Sequence, residues 1–167
     1  AAYQVKQRDP VCVKYRKYDV CGMGPPSSGG LTIGQILGQL NQYDLAALGP
    51  DSPESWRLIG DASRLAFADR GRYMADSDFV SMPTKGLLDP AYLFARSSLL
   101  NTDLALKDVV PGNPDFDHAL IWSDDESFEL PSTSHISIVD SFGNVASMTT
   151  TIENAFGSRL MVNGFLL

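Results

Sequence analysis

Two runs that alternate in polarity, separated by the turn sequence DSFGN, constrain this chain more than any other feature. In a strand successive side chains point to opposite faces, so residues two apart share a face. Ile136 and Ile138 therefore fall on one face of the first run, with His135, Ser137 and Val139 on the other. The returning run places Val145, Ser147, Thr149, Thr151 and Glu153 on one face and Ala146, Met148 and Ile152 on the other. The pattern predicts a β-hairpin. If Asp140 pairs with Asn144 or Val145, the register carries Thr133 opposite Thr151 or its immediate neighbour, and two threonine hydroxyls meet at the open end.

Upstream the pattern differs. VCVKYRKYDVCGM alternates as a strand pair or one bent strand, and GPPSSGG breaks it. A helix is then expected through Ile33, Ile36, Leu37, Leu40, Leu45 and Leu48, stopping at Gly49-Pro50. Ser52-Pro53-Glu54 supplies an N-cap, a proline at the first helical position and an acid in the first turn. Trp56, Ile59, Ala66, Phe67, Arg70, Tyr73 and Met74 recur at helical spacing, which predicts one long helix to about Asp76. Asp89-Pro90 opens a shorter third helix. The Pro/Asn/Asp-rich stretch from Pro111 to Glu129 reads as an exposed, mobile loop. There is no internal repeat.

A chain of 167 residues with 44% hydrophobic content is the size of one ordinary globular domain and can bury a core. Its net charge of -7 argues against a nucleic-acid partner, because binders of polyphosphate concentrate Lys and Arg on one face. Neither end resembles a signal peptide, and no apolar run approaches the length of a membrane span. Cys12 and Cys21 with two histidines make no recognisable zinc pattern, so no metal and no cofactor are expected. Two free cysteines are the expectation, against a Cys12–Cys21 disulfide across a hairpin in an oxidising compartment.

Several stretches imitate chemical motifs. GMGPPSSGG has the glycines of a phosphate cradle but no Lys-Ser/Thr pair after them, and Pro25 and Pro26 remove amides that would hold an anion; a structural turn is expected. His118 reads as a solvated histidine, and Asp124, Asp125 and Glu126 as a solvated acidic run. His135 lacks an acid at a defined spacing and is expected to pack on its strand rather than orient a neighbour of Thr133. Tyr15, Tyr18, Trp56, Phe67 and Tyr73 read as core and interface aromatics.

Three stretches, YDVCGMGPPSSGGLTIGQIL, AFADRGRYMADSDFV and STSHISIVDSFGNVASMTTTIENAFGS, occur in the order and with the intervening elements of one family. The chain resembles, essentially end to end, the γ-glutamyltranspeptidases, which are N-terminal-nucleophile hydrolases. The resemblance implies an α+β fold, part of a four-layer αββα sandwich, and a proenzyme that cuts itself immediately before a threonine. Thr133 matches that threonine. Residues 1–132 then correspond to the C-terminal part of the large-subunit region and 133–167 to the start of the small, nucleophile-bearing one.

In the family a second threonine contacts the nucleophile's hydroxyl, and counting along the motif puts it on Thr151. The chemistry is consistent, because a threonine hydroxyl needs a base, and the α-amine freed by cleavage has a pKa of about 8. Where the family pattern has asparagine two residues later, this chain has Glu153. Strand alternation sets Glu153 on the face of Thr151, which points to a substrate-binding role toward the donor's α-ammonium. The family's paired oxyanion-hole glycines and its donor-carboxylate arginine and serines lie outside this stretch, so the segment alone is expected to be inactive.

The implied substrates are glutathione-like γ-glutamyl amides, and the implied partner is the remainder of the chain's own precursor. A cephalosporin-acylase-like hydrolase of glutaryl amides is the alternative within the class. A non-catalytic scaffold is the alternative outside it, opposed by the presence of both Thr133 and Thr151. The resemblance also implies a periplasmic or extracellular location.

Overall fold

The computed structural model describes residues 4–116, 123–124, 133–152 and 156–166. The chain divides into two compact units, Ala1–Asp125 and Glu126–Leu167. It mixes helices with antiparallel hairpins, and every apolar core residue among the described residues belongs to the first unit.

The first unit opens with the expected hairpin, β1 (Val11–Tyr15) against β2 (Tyr18–Gly22), with Tyr15 opposite Tyr18 and Cys12 opposite Cys21. Arg16 turns the chain at a φ of 56°, a conformation that L side chains rarely adopt. Hydrogen bonds hold it there: its N–H donates to Asn41 Oδ1 at 3.2 Å, and its guanidinium donates to the carbonyls of Asn41 and Tyr43. Cys12 and Cys21 form a disulfide, which corrects the expectation of free thiols. With Tyr15 and Tyr18 closing a two-residue turn, this pair falls on a non-hydrogen-bonded rung, where facing side chains are nearest.

Helix α1 (Gly29–Leu40) does not run on to Leu48 as expected. It stops at Asn41, and a separate turn, α2 (Leu45–Leu48), begins where Asp44 accepts the Ala47 N–H at 3.1 Å. The expected apolar stripe is also shifted, since Leu31, Gln35, Gly38, Gln39 and Leu40 are buried while Ile33 is exposed. Glycines at four-residue spacing let neighbours approach. A Cβ on Gly30 would stand 2.6 Å from the Met23 carbonyl oxygen, and one on Gly38 would stand 2.6 Å from Leu93 Cδ1.

Helix α3 (Pro53–Tyr73) starts at the marked proline and ends three residues short of Asp76. Its phase corrects the sequence reading. Leu58, Ala62, Leu65, Ala66 and Tyr73 face the core together with Ser55, Asp61 and Asp69, whereas Trp56 and Phe67 remain 63% and 54% exposed. Leu58, Ala62 and Leu65 pack with Leu40 and Leu100, and Tyr15, Ile36, Tyr43 and Val109 close over them.

After the short α4 (Thr84–Leu87), Asp89 caps α5 (Pro90–Ser98) by accepting the N–H groups of Ala91 and Tyr92 at 2.9 and 3.2 Å. The chain beyond α5 lies along α3, fastened by two buried aspartates. Asp61 accepts the Leu106 N–H at 3.0 Å, and Asp69 accepts the Gly112 N–H at 2.7 Å. Residues 111–116 are therefore not a free loop: Pro114 is buried, and a Cβ on Gly86 would collide with the Asp115 carbonyl.

The second unit consists of β3 (Thr133–Val139) paired antiparallel with β4 (Val145–Thr151), then β5 (Met161–Val162) with β6 (Phe165–Leu166). The small β5–β6 hairpin turns at Asn163-Gly164, both at positive φ, the Asn-Gly signature of a two-residue turn.

Candidate active site

β3 begins at Thr133 and β4 ends at Thr151, and the ladder sets these two residues opposite each other. Asp140 fixes that register. Its N–H donates to the Asn144 carbonyl at 3.0 Å, while its carboxylate accepts from Phe142 N, Asn144 N and Asn144 Nδ2 at 2.8 to 2.9 Å. These donors, the Asn144 side chain first, hold the Asp140 carboxyl below its usual range.

The Asp140–Asn144 bond has a consequence for every rung above it. Antiparallel ladders alternate hydrogen-bonded and non-hydrogen-bonded pairs, so Val139/Val145, Ser137/Ser147, His135/Thr149 and Thr133/Thr151 all occupy the second kind. Cα atoms there approach to about 4.5 Å, which brings facing side chains closer than on the alternate rungs. One face of the hairpin thus carries a row of hydroxyls around a single imidazole. The opposite face pairs Ile136 with Met148 and Ile138 with Ala146.

His135 does not pack as expected. Its Nδ1 lies 2.9 Å from Thr149 Oγ1, and its Nε2 lies 3.1 Å from Ser137 Oγ and 3.2 Å from Ser147 Oγ. The signal for this was the same alternation that aligned the threonines, because it set His135 and Ser137 on one face and Ser147 and Thr149 on its partner. What one strand could not show is which hydroxyls stand across from the ring.

Of the other residues singled out, Glu153 lies outside the described residues, as do His118, Asp125, Glu126 and Ser132. Asp124 pairs with Arg72 at 2.5 and 3.0 Å, which lowers the Asp124 carboxyl below its usual range. GMGPPSSGG makes the expected turn: Ser27 N donates to Gly24 O and Gly30 N to Met23 O, both at 3.1 Å, so two of its amides serve the turn itself. It borders an apolar pocket of about 240 Å³ lined by Val20, Met23, Gly30 and Ile33. Among the described residues no group of three or more His, Cys, Asp or Glu is placed to hold a metal, and no helix is long and apolar enough to cross a membrane.

Sequence reasoning passed over Asp69, a buried carboxylate that four donors surround. It is fully buried and accepts from Gln35 Nε2 at 2.8 Å, Tyr92 OH at 2.7 Å, Gly112 N at 2.7 Å and Arg96 at 3.2 Å. Arg96 also donates to the Leu65 and Val110 carbonyls, both at 3.0 Å. Burial, then the bond to Asp69, pushes the Tyr92 phenol well above its ordinary range. Four donors around one carboxylate replace its water, which is the condition for burying a charge. This is a structural centre, since Asp69, Gln35 and Arg96 are all buried and the carboxylate is spent on holding neighbouring segments together.

The model of the Gamma-glutamyltranspeptidase family matches residues 1–167. The chain is 34% identical over 172 residues to the glutathione hydrolase proenzyme of Bacillus subtilis, covering 96% of this chain and 28% of that one. It is also 34% identical over 165 residues to the acylase ACY 1 proenzyme of Pseudomonas sp. (strain SE83), covering 98% of this chain and 27% of that one. Among solved structures it resembles Helicobacter pylori gamma-glutamyltranspeptidase with a TM-score of 0.64 and 39% identity, over 66% of this chain and 32% of the other. Cephalosporin acylase from Bacillus halodurans shares the fold, with a TM-score of 0.61 at 24% identity over 67% of this chain and 20% of the other.

Proposed function

Because the chain belongs to the gamma-glutamyltranspeptidase family, we propose that it carries the nucleophile of an enzyme that transfers or hydrolyses γ-glutamyl groups through an acyl-enzyme on Thr133. It spans under a third of the length of the curated relatives it matches. The observation that supports this reading best is the register that sets Thr133 opposite Thr151 at the open end of β3–β4. Residues 1–132 belong to the large-subunit side and 133–167 to the small-subunit side, and the whole folds as a four-layer αββα sandwich.

In this mechanism the Thr133 hydroxyl first attacks the Ser132 carbonyl, and hydrolysis of the resulting ester frees the Thr133 α-amine. That amine, with a pKa of about 8, then takes the hydroxyl proton as Thr133 attacks the substrate amide. The Thr151 hydroxyl orients the nucleophile. The leaving amine takes the proton, and water or an acceptor amine later attacks the ester.

Mass spectrometry of the full-length product tests the reading directly. The expected result is a break between Ser132 and Thr133 in the wild type, one uncut chain in Thr133→Ala, and slow cutting in Thr133→Ser. Efficient cutting of Thr133→Ala would show that another protease does the work and would remove Thr133 as nucleophile. The Cys12–Cys21 disulfide supports a periplasmic or extracellular location, since disulfides persist where thiols are not kept reduced.

A second reading, a glutaryl-type acylase, has the support of an acylase relative, and Glu153 is the residue that decides between the two. Glu153 stands where the resemblance calls for asparagine, and an acylase relative matches at the same 34% identity as the glutathione hydrolase. If Glu153 pairs with the α-ammonium of a γ-glutamyl donor, Glu153→Gln lowers kcat/KM for γ-glutamyl amides more than for glutaryl amides. Equal losses, or a gain on γ-glutamyl amides, reject that pairing and move the reading toward an acylase or a solvent-facing Glu153 side chain.

A further inference from the structure

The polar face of β3–β4 contains more organised chemistry than two opposed threonines require. An exposed imidazole ordinarily rotates, and fixing it costs side-chain entropy. Here three hydroxyls hold it: Thr149 at Nδ1, and Ser137 with Ser147 at Nε2. All three lie on the face of Thr133 and Thr151, and the His135/Thr149 pair is the next rung on that face.

The bonding at the two ring nitrogens is coupled. In neutral imidazole one nitrogen donates and the other accepts. If Nδ1–H donates to Thr149 Oγ1, the Thr149 proton is left free to donate elsewhere, and Nε2 accepts from a serine. If Nε2–H donates to a serine, Thr149 must donate to Nδ1 and has only its lone pairs left to offer outward. The ring therefore decides whether the hydroxyl beside the two threonines offers a proton or a lone pair. Among the described residues of this face the apolar pair, Val139 and Val145, sits two rungs from the ring at the turn.

We propose that His135 is a positioning residue for the Thr133 nucleophile: held by Thr149, Ser137 and Ser147, it fixes through Thr149 the direction of the hydroxyl next to Thr133 and Thr151. This rests on the reading of Thr133 as nucleophile. His135 exchanges no proton with substrate, and its effect belongs to the chemical step rather than to substrate capture.

The test uses the full-length protein with a chromogenic γ-glutamyl anilide and a glutaryl anilide as probes. His135→Phe keeps a planar ring and loses both nitrogens, while His135→Asn keeps a donor-acceptor group near the Nδ1 position. The expected result in His135→Phe is slower self-cleavage and, in the cut enzyme, a kcat about tenfold to a hundredfold lower with KM within about twofold. His135→Asn should recover a substantial part of kcat. Ser137→Ala/Ser147→Ala leaves the ring but frees Nε2, and should lower kcat about threefold to tenfold; it carries the test if His135→Phe fails to fold.

Undiminished kcat on both probes in His135→Phe, or in the double serine variant where it stands in, overturns the positioning role. So does a loss expressed wholly in KM, or no recovery with asparagine. Thr133→Ala separates the two ideas. If that variant is still cut and active, the nucleophile reading itself has failed; if it is uncut while His135→Phe is fully active, only the role of His135 has.

Discussion

Gly112 N donates to Oδ1 of Asp69 at 2.7 Å, joining residues 43 apart in sequence and laying an irregular stretch of chain along α3. The same oxygen meets Arg96, and the other meets Gln35 and Tyr92. Removing this carboxylate leaves a buried guanidinium without its counter-charge, and a half-buried phenol and a buried amide without an acceptor. Asp69→Ala should therefore cost about 3 to 5 kcal/mol in denaturant unfolding of the full-length protein. Asp69→Asn keeps the volume but puts an NH₂ against donors, and should recover less than half of that. A loss below about 1 kcal/mol for the alanine variant would mean that water takes over the carboxylate's bonds.

The helix glycines give a contrast that depends only on what surrounds them. A Cβ on Gly30 would meet the Met23 carbonyl oxygen at 2.6 Å and the Gly22 carbonyl carbon at 3.0 Å, both backbone atoms that cannot swing aside. Gly30→Ala should destabilise by about 1 to 3 kcal/mol. Gly60 and Gly71 on α3 have nothing within 4 Å of such a Cβ. Gly60→Ala should be neutral or stabilise by up to about 1 kcal/mol, through lower entropy of the unfolded chain. Thermal melts of the two variants side by side check the sign, and equal shifts would contradict the close contact of α1 with the end of β2.

Element types were legible wherever local chemistry decides them. Ser52-Pro53-Glu54 and Asp89-Pro90 start helices, and alternation around DSFGN gives the hairpin and its register. What was not legible depends on partners distant in sequence. Asp61 and Asp69 sit on the buried stripe of α3 because Arg64, Arg96, Tyr92 and two backbone amides satisfy them, so the stripe's phase cannot be found from apolar residues alone. The disulfide required the register of β1–β2, which places Cys12 opposite Cys21. Of the candidate site, the opposition of Thr133 and Thr151 was readable from period two, while the hydroxyl cage of His135 needed both strands at once.

The hairpin turn should respond to acid. Asn144 and the turn amides hold the Asp140 carboxyl below its ordinary value. A carboxyl whose folded pKa is depressed contributes stability that is fully present above its unfolded pKa, about 3.9, and is lost as pH falls through the folded value. Unfolding measured across that window should show the wild type losing its advantage over Asp140→Ala as pH drops below about 4, with no change in the difference between pH 6 and 8. A constant difference down to the lowest pH would show that the turn does not depend on the ionised carboxylate.

Thr151 completes the set, because it tests the rung on which the functional reading rests. It pairs with Thr133 on a non-hydrogen-bonded rung at the end of β4, where its side chain is exposed and its loss removes no core packing. Thr151→Ala in the full-length protein should leave thermal stability within about 1 kcal/mol of wild type, as for a surface substitution. If Thr133 is the nucleophile and Thr151 orients it, as proposed, the variant should lower kcat by roughly tenfold to a hundredfold, about 1.4 to 2.7 kcal/mol at the barrier. Thr151→Ser keeps the hydroxyl and should return most of the rate. Full activity of a completely cut Thr151→Ala enzyme would mean that the facing threonines do not cooperate, and that the register brings them together only as sheet neighbours.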